Sequence, residues 1–67
     1  MVKDTRNAVY NLKRKGQLKK YLARATYGGE NWIVGSYDTY EQATEALINQ
    51  FPNHECEDWD IVCFVNM

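Results

Sequence analysis

A chain of 67 residues makes one domain, residues 1–67, and at this size only about 60 % of the unfolded surface can be buried. Two Trp, five Tyr and two Phe must carry much of that small core, and no apolar run is long enough to cross a membrane. The net charge of −1 excludes the strongly basic balance of a typical nucleic-acid-binding domain.

The net value hides an asymmetry. Every Lys and Arg lies in residues 1–24, and every acid except Asp4 lies after them. Such a division points to a charged partner, unless the two parts face each other in the fold or are simply solvated. The first residues hold no basic-then-apolar leader pattern, so the expectation is a soluble chain that stays where it is made.

In chain order, residues 4–15 read in two ways. Asp4 or Thr5 could cap a helix, Val2, Thr5, Val9 and Leu12 recur at helical spacing, and Gly16 would be its left-handed stop. Ala8–Leu12 is also short enough to be a strand; helix is the favoured reading. Lys20–Tyr27 alternates, with Tyr21, Ala23, Ala25 and Tyr27 on one side and Leu22, Arg24 and Thr26 on the other. Gly28-Gly29-Glu30-Asn31 is a hairpin turn, so the next strand, Trp32–Tyr37, pairs antiparallel with the first. Gly35 inside it marks a bulge or a close backbone approach.

Thr39 then caps a helix, with Gln42 three residues on completing a capping box; Asp38 with Glu41 offers the same pattern one residue earlier. Tyr40, Ala43, Leu47 and Phe51 mark its inner side, and Pro52 stops it. A polar loop follows, and Trp59–Val65 closes the chain as a strand with apolar residues on both faces, a pattern of paired or covered strands. The fold class is α+β: a small antiparallel sheet of three strands, four if the N-terminal segment joins it. One helix packs on one face, and a helix is the favoured form of the N-terminal segment.

No catalytic constellation stands out. His54 with Cys56 and Cys63 fits neither a metal spacing nor a nucleophile pair with its supports. Glu41 and Glu45, one helical turn apart, read as a solvated face before an acid–base pair. Phosphate-loop and dinucleotide fingerprints are absent. The expectation is a non-enzyme without metal or cofactor, with Cys56 and Cys63 reduced.

Two binding sets remain. Lys13, Arg14, Lys15, Lys19, Lys20 and Arg24 are interleaved with Tyr10 and Tyr21, the pairing of phosphate neutralisation with base stacking. Glu41, Glu45, Glu55, Glu57, Asp58 and Asp60 form an acidic set that could occupy a phosphate-binding groove on another protein.

Trp32-Ile33-Val34-Gly35-Ser36-Tyr37-Asp38-Thr39-Tyr40-Glu41-Gln42-Ala43 resembles the third strand and helix start of the ethylene-response-factor DNA-binding domain and of integrase arm-binding domains, with Val34 one residue in excess. Tyr21-Leu22-Ala23-Arg24 is similar to that family's preceding strand, which implies contacts from Tyr21 and Arg24 to duplex DNA. Residues 20–66 also resemble small bacteriophage inhibitors of strand–strand–helix–strand form, of the RNA polymerase inhibitor or anti-CRISPR type. That resemblance implies a viral protein in the bacterial cytoplasm, which inhibits a host protein acting on nucleic acid by surface contact. It is the leading expectation, through the acidic set. DNA binding through the basic strand is the alternative, and a homodimer paired through an exposed sheet edge is a third.

Overall fold

The computed structural model describes residues 1–64. A short strand β1 (Val2–Lys3) leads to helix α1 (Ala8–Arg14), the hairpin β2 (Tyr21–Tyr27) and β3 (Glu30–Tyr37), helix α2 (Tyr40–Gln50) and strand β4 (Asp58–Cys63). All pairings are antiparallel and the sheet order is β1-β3-β2-β4. The fourth strand is thus the N-terminal Val2–Lys3, and the ambiguous segment after it is helical. Val65, the last residue expected in the closing strand, lies outside the described residues.

The hairpin turns on Gly28 and Gly29, whose φ values of +64° and +77° suit the two central positions of a tight turn matched to strand twist. Further along β3 the register slips. Ala23 faces Gly35 and Arg24 faces Ile33, so Val34 is the extra residue of a β-bulge. Gly35 serves the close approach as well, because a side chain there would collide with the Tyr37 ring.

Both faces of the sheet carry a helix. On one, Ala43, Leu47 and Phe51 of the α2 segment pack on Ala23 and Ala25, flanked by Tyr21, Val34, Tyr37, Trp59 and Ile61. The small β2 residues let the helix approach closely, and Ala23, Ala43 and Leu47 lose all exposure. Tyr40 stays largely exposed and touches this face only edge-on, through Tyr21. On the other face, Ala8 packs with Leu22 and Ile33, surrounded by Val9, Leu12, Leu18, Val62 and Phe64. The two faces of β4 therefore feed two different cores, which explains its apolar residues at both parities.

The helix ends differ. Thr39 caps α2 through its hydroxyl, which accepts from the Gln42 N–H at 3.1 Å, while Gln42 Oε1 accepts from the Thr39 N–H at 3.3 Å. The α1 helix begins at Ala8, later than an Asp4 or Thr5 cap requires, and Asn7 before it makes no side-chain cap bond. Its other end is well closed. The Gln17 N–H donates to Leu12 O and the Gly16 N–H to Lys13 O, with Gly16 at φ +71°.

Candidate functional site

Intramolecular pairing sorts the charges. Lys3 meets Glu30 at 2.7 Å, Lys19 meets Asp38 at 3.8 Å, and Arg24 meets both Asp60 and Asp4. Arg24 grips Asp60 with two donors, Nε to Oδ1 at 2.9 Å and Nη2 to Oδ2 at 2.5 Å. That hydrogen bond to Asp60 raises the guanidinium above its ordinary pKa. Four acids, Asp4, Glu30, Asp38 and Asp60, are thus held by cations. Among the described residues Glu41, Glu45, Glu55, Glu57 and Asp58 have no cationic partner.

The unpaired acids fall into two groups. Glu41 and Glu45 lie in the first half of α2 and are exposed. Glu55, Glu57 and Asp58 lie beyond its far end, at the hairpin end of the sheet. There the Glu57 carboxylate accepts from the Gly29 N–H at 3.2 Å, and the Glu57 N–H donates to Thr26 O at 2.8 Å. Asp58 faces Thr26 across the β2–β4 ladder and accepts from the Trp59 N–H at 2.9 Å. The loop bearing Glu55 is shaped by Asn53 and His54, both at positive φ (+62° and +55°), with the His54 ring on Trp59 at 4.8 Å between centroids. Asp60 stands apart from this group, because Arg24 occupies both of its oxygens.

The basic set is divided as well. Arg24 and Tyr21 lie on opposite faces of β2: Tyr21 packs in the α2 core, and Arg24 points to the α1 side. The two therefore do not form one reading surface. Lys13, Arg14 and Lys15 close α1, and the turn at Gly16 returns the chain toward Lys19 and Lys20 at the end of the sheet opposite the hairpin. There the Lys19 N–H donates to Ser36 Oγ and Lys20 O accepts from the Phe64 N–H. The sheet thus has Glu55, Glu57 and Asp58 at its hairpin end and Lys19 and Lys20 at the other, where α2 also begins and carries Glu41 and Glu45.

Beside the Arg24–Asp60 pair is a half-open cleft of about 190 Å³, lined by Asp4, Arg24, Thr26, Asn31, Asp58 and Trp59. The Thr26 hydroxyl donates to Asn31 Oδ1 at 3.0 Å within it. Asp4, Thr26, Asn31 and Trp59 were not legible as neighbours from the sequence. Strand alternation puts Arg24 and Thr26 together, but the β2–β4 register that adds Asp58 and Asp60 is carried by no local signal. Cys56 is half-buried against the α2 core and Cys63 is exposed; both are free thiols. Among the described residues no group of three His, Cys, Asp or Glu side chains is placed to hold a metal ion. No helix among them is long and apolar enough to cross a membrane.

The chain is thus a small α+β domain, an open four-stranded antiparallel sheet between two helices. No family model matches it, and no curated protein or solved structure shows significant similarity to it.

Proposed function

We propose that this protein is a non-catalytic inhibitor that docks carboxylates into the phosphate-binding groove of a nucleic-acid enzyme, in the manner of the small bacteriophage proteins its sequence resembles. The observation that carries this reading is the sorting of the acids. Internal ion pairs consume Asp4, Glu30, Asp38 and Asp60 and leave Glu55, Glu57 and Asp58 clustered at one end without cations. Exposed like charges gathered around one turn are worth little to the fold, but a cationic groove shaped for phosphates attracts them strongly and orients the encounter. Glu41 and Glu45 extend the acidic surface along α2, and Asp60 serves as the internal partner of Arg24.

The test is displacement. Protein immobilised on a resin should retain a nucleic-acid enzyme from nuclease-treated bacterial lysate and release it when duplex DNA is added. The triple variant Glu55→Gln, Glu57→Gln, Asp58→Asn should retain none. Its fold should persist, since the amide oxygen introduced by Glu57→Gln still accepts from the Gly29 N–H. Retention that survives the triple variant, or that vanishes on nuclease treatment alone, contradicts the proposal.

A further inference from the structure

The cationic end carries a second feature. Tyr10 lies on α1 with 64 % of its surface exposed, whereas Ala8, Val9 and Leu12 of the same helix pack on the sheet. Lys13 and Arg14 follow Tyr10 by three and four residues and so share its side of the helix. Lys15 follows at the helix end, and Lys20 lies across the sheet with its ammonium over the Tyr21 ring at 5.5 Å; none of these four cations has a carboxylate partner among the described residues. Lys19 adds a fifth charge, held only loosely by Asp38 at 3.8 Å with both side chains more than half exposed.

We infer that this end of the molecule is a binding site for single-stranded nucleic acid, with the Tyr10 ring as a stacking platform and Lys13, Arg14 and Lys15 as phosphate contacts. Exposed aromatic rings flanked by cations are the elements of sequence-tolerant single-strand binding, because every base has a face to stack and every linkage a charge to neutralise. An unpaired base can reach the Tyr10 ring; a base within a duplex has both faces occupied by its neighbours. Charge points the same way. The chain outside this cluster is net negative, with Glu55, Glu57 and Asp58 at the opposite end of the sheet and Glu41 and Glu45 on α2, across the sheet from α1. Of the two tyrosines interleaved with the basic residues, only Tyr10 is free for this role, because Tyr21 packs in the α2 core.

The site is separate from the acidic end and does not depend on the inhibitor reading. The experiment is fluorescence anisotropy of the whole protein with a labelled oligothymidylate and with a duplex of equal length, across a salt series. The single strand should bind more tightly than the duplex. Tyr10→Ala should weaken single-strand binding about tenfold and leave its salt dependence unchanged. The triple variant Lys13→Gln, Arg14→Gln, Lys15→Gln should reduce the steepness of log affinity against log salt by about 2, at roughly 0.7 for each charge removed on a single strand. All of these side chains are exposed, and Tyr10→Leu provides a second variant with the ring removed and the apolar bulk kept. Preference for the duplex overturns the inference, and so does single-strand affinity indifferent to both Tyr10 variants. The Glu55, Glu57, Asp58 variant should bind the oligothymidylate at least as well as the wild type, so failure of the inhibitor reading leaves this result untouched.

Discussion

The two faces of the sheet are built from the same strands, yet they are covered to different extents. On the α2 face, β2 offers Ala23 and Ala25, and an eleven-residue helix with a complete capping box settles onto them with Leu47 fully buried. On the α1 face, β2 offers Leu22 and then Arg24 and Thr26. A seven-residue helix without a side-chain cap covers the apolar part and stops. What it leaves is the cleft beside Arg24 and Asp60. Alternation along one strand thus decides which face becomes core throughout and which becomes half core and half polar surface.

The contrast can be broken most decisively in the cores. Leu47→Ala should cost about 2–5 kcal/mol, because a fully enclosed side chain leaves a cavity its neighbours cannot fill. Leu22→Ala should fall toward the lower end of the same range, about 2 kcal/mol, since the short α1 can shift to close the gap. Denaturant unfolding of both variants measures this, and a Leu47 loss near zero would remove α2 from its assigned place.

The caps give a smaller and sharper comparison. Thr39→Ala should cost about 1 kcal/mol, whereas Asn7→Ala should change stability by no more than about 0.5 kcal/mol, because only Thr39 bonds an otherwise orphaned N–H. Equal losses at the two positions would show that the helices start alike. Amide exchange should report the same order, with α1 opening before α2.

The ion pair, too, should contribute little. Arg24→Met should cost no more than about 1 kcal/mol, as both partners are substantially exposed and water screens them. A loss several times larger in thermal unfolding would mean that the pair is a structural anchor of the uncovered half of the sheet.

Much of this fold is written in local signals. The Thr39–Gln42 box, the Gly28-Gly29 turn, the Gly16 stop and the alternation of β2 are each set by residues a few positions apart, and the structure bears them out. Gly35, which marks a bulge or a close backbone approach in the sequence, stands next to Val34, the residue that bulges. What stayed hidden depends on long-range register. The pairing of Val2–Lys3 with Trp32–Ile33 joins residues about half the chain apart. The Arg24–Asp60 bond joins residues 36 positions apart, and nothing near either one announces it. For that reason Asp60 read as a free acid and Arg24 as a free base, whereas Glu55, Glu57 and Asp58 do lie without cations among the described residues. The left-handed Asn53 and His54 were also hidden, since neither carries the glycine that usually marks such a turn.

The claim that carries most weight is that the hairpin end acts through its free carboxylates. Its most direct measurement is the affinity of the captured enzyme for three proteins over a salt series: the wild type, the Glu55, Glu57, Asp58 variant and the Lys13, Arg14, Lys15 variant. Wild-type binding should weaken as salt rises, the acidic-end variant should lose binding at every salt concentration, and the basic-end variant should bind as the wild type does. Loss of binding in the basic-end variant, with the acidic-end variant unaffected, would contradict the claim.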